Sequence, residues 1–135
     1  MLDTGPLYAT LDRSDGAHVA ARRLVETARE PLIIPAPVLV EVDQLTQGKQ
    51  RPSAFTGLLQ DVKAGFYEVS DLLPEDYDRV LELCERYLDS GIGFVDAAVL
   101  AIVERLNEPK LATLDRRHFG ILRPRHVDAL TLLPE

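Results

Sequence analysis

Four carboxylates stand where an ordinary solvated acid would not. Asp3 precedes Thr4-Gly5-Pro6, and Glu41 interrupts Val38-Leu39-Val40-Glu41-Val42. Asp96 is the one polar residue between Phe94 and Val103, and Asp115 closes the run Lys110–Leu114. Taken singly, Asp3 and Asp96 read as helix caps and Asp115 as a turn residue. Glu41 resists such a reading, because a lone carboxylate among apolar helical neighbours is costly unless it is paired. Gathered together without lysine or arginine, the four would repel, and some would have to take up protons. A divalent cation removes that conflict. Oxygen donors without Cys or His point to Mg²⁺, with Mn²⁺ able to substitute, rather than Zn²⁺.

Whether the four meet depends on the elements that carry them. Apolar residues Ala17, Ala20, Ala21, Leu24, Val25 and Ala28 recur at helical spacing, which predicts a helix over 15–29. Leu32–Ile34 predicts a short buried strand. Pro37 and Pro52 open helices that run to about Gly48 and Gly65, and Phe66–Val69 predicts a second strand. Pro74–Leu88 predicts a helix whose core face is Tyr77, Val80, Leu81, Cys84, Tyr87 and Leu88. A further helix runs from Phe94 to Leu106, strands follow at Lys110–Leu114 and Ala129–Leu133, and Met1–Asp3 forms a strand stub.

Short apolar strands alternating with helices predict an α/β fold, a short central parallel sheet with helices on both faces. Ligands in such sheets bind beyond the carboxyl ends of the strands. Asp3 and Asp115 close strands, while Glu41 and Asp96 lie near the starts of helices that begin at the same edge. The expected site is an acidic, magnesium-type pocket.

Four segments carry a family likeness: Leu2-Asp3-Thr4-Gly5-Pro6-Leu7, Val38-Leu39-Val40-Glu41-Val42, Ile92-Gly93-Phe94-Val95-Asp96-Ala97-Ala98, and Leu111 through Phe119. In this order they resemble the PIN-domain ribonucleases, in particular the VapC toxins of bacterial toxin–antitoxin pairs. The resemblance covers essentially the whole chain. It implies one PIN-like nuclease domain over 1–135 that hydrolyses RNA phosphodiesters at a metal site of Asp3, Glu41, Asp96 and Asp115. Thr4 and Thr113 match the hydroxyl positions that support the first and last acids. It further implies a VapB-like antitoxin partner and a homodimer.

Composition agrees with a compact domain: 135 residues, 46% hydrophobic, need no staple, and the single Cys84 excludes a disulfide framework or a Cys-based zinc ribbon. No apolar run approaches a membrane span and the start lacks a signal-peptide pattern, so a cytoplasmic protein is expected. The net charge of −7 argues against broad polyanion binding. It is uneven, however. Residues 61–90 hold nine acids and three bases, whereas 105–126 hold six bases and two acids. Arg116 and Arg117, next to Asp115, are expected to hold the RNA backbone, with Arg123 and Arg125 extending the strip. His118 and His126 lack regular ligand spacing and read as surface or hydrogen-bonding residues.

Other readings make different demands. An aspartyl-nucleophile phosphatase wants a second Asp where Gly5 stands. A dinucleotide fold wants a glycine where Asp96 follows Gly91-Ile92-Gly93. A non-catalytic PIN-fold module binding protein or RNA would bind no metal.

Overall fold

The computed structural model describes residues 1–135. Helices α1 (Thr4–Leu11) and α2 (His18–Thr27) precede strand β1 (Ile33–Pro35). Helices α3 (Ala36–Gly48) and α4 (Pro52–Lys63) lead to β2 (Glu68–Ser70). Helix α5 (Asp76–Arg86), a 3₁₀ turn at Leu88–Ser90 and α6 (Phe94–Arg105) precede β3 (Lys110–Ala112), α7 (Arg116–Ile121) and β4 (Thr131–Leu133). The expected strands are present, each three residues long: the first two are shifted one or two residues toward the C-terminus, and the last two are trimmed within their expected bounds. Each strand pair is parallel, β1 with β2 and β3 with β4.

Residues 1–3 join these two pairs. The Leu2 amide donates to the Ile33 carbonyl (2.8 Å), the Ala112 amide donates to Met1 (2.9 Å), and the Asp3 amide donates back to Ala112 (2.9 Å). The stub therefore lies between β1 and β3, bridged in parallel to Ala112. Its direction delivers Asp3 to the sheet's carboxyl edge.

Helix α6 is the centre of the core. Ala97 through Val103 are all buried, as expected of a helix that is apolar on every side. Burying side chains such as Leu100 and Ile102 is worth roughly 1.5–3 kcal/mol each. Asp96 sits in the first turn of this helix.

Helix α5 departs from expectation. Val80 is buried as predicted, but Tyr77, Leu81 and Leu88 are exposed, while Asp76, Arg79 and Leu83 are buried. Ion pairing turned the helix. Arg79 donates through Nε and Nη2 to both carboxylate oxygens of Glu104 on α6 (2.8 and 2.9 Å), and Arg105 donates to Asp76 (2.9 Å). An apolar-periodicity argument assigns charged side chains to solvent, and here two crossed pairs between α5 and α6 draw them inside.

A second polar anchor ties α1 to α4. Asp12 is buried and accepts from the Tyr8 hydroxyl (2.6 Å), the Ser14 amide and hydroxyl (2.9 and 2.6 Å) and Arg51 (3.0 Å). The Ser14 hydroxyl, then Tyr8, hold its carboxyl well below the usual range.

Two stability outcomes follow. Arg79→Leu removes the guanidinium partner of the mostly buried Glu104, leaving it only the Arg125 amide, and is expected to cost about 3 kcal/mol in urea unfolding. The double variant Arg79→Leu with Glu104→Leu should recover most of that loss; no recovery would mean that the pair is not what orients α5. For Asp12 the folded value lies below the unfolded one, so its stabilisation is present above about pH 4 and lost as pH falls further. Asp12→Asn should flatten the acid limb of a pH–stability curve, and an unchanged limb would contradict the anchor.

Candidate active site

Asp3, Thr4, Gly5, Glu41, Asp96, Leu114, Asp115 and His118 line one open pocket. The four carboxylates proposed from sequence thus share a site, delivered by the stub, α3, α6 and the turn after β3. No lysine or arginine lines it.

Each acid is held by the protein. Thr113, fully buried, donates its hydroxyl to Asp3 Oδ2 (2.8 Å) and accepts the Asp115 amide (3.0 Å), so one hydroxyl sets two of the acids. Thr4 donates to Glu41 Oε1 (2.5 Å). The hydroxyls therefore support Asp3 and Glu41 directly; the Thr4 hydroxyl goes to Glu41 across the pocket, and only its backbone acts on the neighbouring Asp3. Asp3 occupies the cap position of α1, yet its side chain makes no capping bond. Asp115 does cap α7, its Oδ1 accepting the His118 amide (3.0 Å).

Electrostatics mark the pocket as short of positive charge. Burial pushes the Asp3 carboxyl up to about 6, with Asp96 and Glu41 adding to the rise against the Thr113 hydroxyl. Burial likewise raises Asp96, aided by Asp115 and Glu41 and opposed by His118. Asp96 and Asp115, with His118, bring ligand atoms within 4.8 Å of one another, and Asp3 and Glu41 line the same open pocket outside that tight group; oxygen donors with uncompensated charge and an opening to solvent suit a hard divalent cation.

A PIN-domain family model matches residues 1–122. The chain belongs to the PIN-domain family. Over 134 residues it is 27% identical to a protein named ribonuclease VapC26 of Mycobacterium tuberculosis, covering 99% of both chains. Its fold also matches the crystal structure of Mycobacterium tuberculosis VapC20, described as a sarcin–ricin loop cleaving toxin. That likeness has a TM-score of 0.81 at 18% identity, over 93% of this chain and 96% of that one. This PIN domain is completed by β4, which pairs with β3 beyond the matched segment.

The basic strip is less free than its sequence suggests. Arg125 pairs with Glu82, and its amide donates to Glu104 (2.7 Å). The Arg123 carbonyl accepts from Arg79 (3.1 Å). Arg116 reaches the Pro134 carbonyl, and Arg117 stands exposed. Arg125 thus fastens the C-terminal segment to α5 and α6, whereas Arg123 is held only through its backbone and is exposed.

His118 is the residue that sequence spacing passed over. Its Nδ1 lies 2.9 Å from Asp96 Oδ2 and 2.9 Å from Asp115 Oδ2. The available signal was local: a cap residue and the residue three positions on face each other at a helix start.

If the acids hold a cation, Mn²⁺ at a hundredfold excess over its dissociation constant should stabilise the fold by about 2.7 kcal/mol. Thermal unfolding of chelator-treated protein should show the rise for wild type and for Arg117→Ala, but not for Asp96→Asn. No rise in wild type would count against the pocket as a metal centre.

Proposed function

We propose that this PIN domain is a metal-dependent endoribonuclease of the VapC toxin type, hydrolysing RNA phosphodiester bonds at Asp3, Glu41, Asp96 and Asp115. The observation that carries the reading is the convergence of these four acids in one pocket of a PIN domain. The name of the ribonuclease relative, which spans nearly the whole chain, supports the same activity.

Asp3, Asp96 and Asp115 would hold Mg²⁺, for which Mn²⁺ substitutes. Bound there, the cation supplies Lewis acidity and offsets negative charge at the reacting phosphate. Glu41, its Oε1 fixed by Thr4, would take the proton of the attacking water at Oε2. Thr113 keeps Asp3 and Asp115 in register through its single hydroxyl. Arg117, and Arg116 if it releases Pro134, would hold the RNA backbone beside the scissile bond.

A toxin of this type works in the cytoplasm, forms a homodimer and is silenced by a VapB-like antitoxin. Beside Glu41 the pocket opens onto a groove lined by Val40, Leu72, Tyr77, Phe94 and Val95, which suits such a protein partner. No helix is long and apolar enough to cross a membrane.

The test is cleavage of total cellular RNA with Mg²⁺, with Mn²⁺ and with EDTA. Cleavage should require a cation, and Asp96→Asn should lower the rate by about 100-fold or more while keeping the fold. Chelator-insensitive cleavage, or a fully active Asp96→Asn, would overturn the assignment. Absence of both RNA cleavage and metal binding would leave a non-catalytic module.

A further inference from the structure

We infer that His118 is a nitrogen ligand of the cation and that it biases the centre toward Mn²⁺ and the later first-row divalent ions over Mg²⁺. The inference rests on the reading that the acidic pocket holds a divalent cation.

Its basis is the position of one ring nitrogen. His18 and His126 each turn a ring nitrogen to a backbone carbonyl, of Ala9 (2.6 Å) and Glu108 (2.7 Å). His118 instead aims Nδ1 at two carboxylates at once, with 2.9 Å to each. The Nδ1 atom and the carboxylate oxygens of Asp96 and Asp115 all lie within 4.8 Å of one another. Carboxylates only accept hydrogen bonds, so Nδ1–H donates to Asp96 Oδ2, while Asp115 Oδ2 lies at the same distance from that nitrogen. Without that proton, the same nitrogen directs a lone pair to the same point.

The spacing suits coordination. Donors about 2.1 Å from an octahedral ion and at right angles to one another lie about 3.0 Å apart. The two N···O separations already have nearly that value.

The ring is held by more than these contacts. Its amide is bound by Asp115 Oδ1, which fixes the start of α7. Nε2 lies beside Gly91, where a Cβ on that residue would stand 4.0 Å from it, in van der Waals contact. Gly91 adopts φ 73, the left-handed region, where glycine closes the 3₁₀ turn without strain. The start of α7 and the two carboxylates thus set the imidazole edge toward Asp96 and Asp115.

The consequence follows from ligand chemistry. Mg²⁺ takes oxygen donors and gains little from imidazole. Transition ions gain more, and the gain grows along the series from Mn²⁺. Replacing the imidazole should cost Mn²⁺ affinity about tenfold or more and leave Mg²⁺ affinity within about threefold.

The experiment uses the whole chain. Mn²⁺ and Mg²⁺ are titrated calorimetrically into wild type, His118→Asn and Asp96→Asn, and bound Mn²⁺ is examined by pulsed electron paramagnetic resonance. His118→Asn keeps a side-chain donor of similar reach, and circular dichroism checks its fold. A hyperfine coupling from directly bound ¹⁴N in wild type, absent in His118→Asn, together with the selective Mn²⁺ loss, is the expected result. Mn²⁺ bound by wild type and lost in Asp96→Asn, but without ¹⁴N coupling, would overturn the ligand role and leave the carboxylate centre standing. Equal losses of Mn²⁺ and Mg²⁺ in His118→Asn would also overturn it. Absence of Mn²⁺ binding to wild type would overturn both readings.

Discussion

Three backbone hydrogen bonds made by residues 1–3 link the two strand pairs. Without them β1–β2 and β3–β4 would be separate two-stranded ribbons, each too small to be stable alone. The same bonds fix the direction in which the chain leaves the sheet, and so place Asp3 at its carboxyl edge. Thr113 then follows β3 and reaches across to that residue. Fold and site thus share one seam: the contacts that close the sheet also position the first acid and, through one buried hydroxyl, the last.

That arrangement brings like charges together in a partly dry place. Folding tolerates it because each acid is restrained by a donor supplied locally: Thr113 for Asp3, Thr4 for Glu41, His118 for Asp96, and the His118 amide for Asp115. These donors orient the carboxylates without neutralising them. The remaining deficit of positive charge is a property of the assembled pocket, and it is what a divalent cation would relieve.

The sequence disclosed this much through polar residues set in apolar runs. Asp96 at the head of Ala97–Val103 and Glu41 among valines are conspicuous because burial of unpaired charge is costly. Strands and helices were legible from length, proline starts and apolar runs. Helix α7 was not: six residues are too few for a 3.6-residue pattern to register, and Gly120 weakens the local helix signal. His118 was obscured with it, since its meeting with Asp96 spans 22 positions and depends on the tertiary packing of α6 against the β3–α7 turn. The burial of Asp76 and Arg79 was equally hidden, because a crossed ion pair reads in sequence as two solvated charges.

The allocation of basic residues bears on how a substrate would be held. Of the six bases between 105 and 126, Arg105 is paired with Asp76, Lys110 with Glu30 and Arg125 with Glu82, while Arg116 is engaged by a backbone carbonyl. A chain so committed, on a body of net charge −7, cannot gather nucleic acid by releasing many counterions. Attraction would have to be local, made by a cation held in the pocket and by the exposed Arg117 beside it, with Arg123 the other base whose side chain has no partner. Grip on the phosphate backbone would then be short in reach, and discrimination between RNAs would depend on the shape of the strand presented to the pocket.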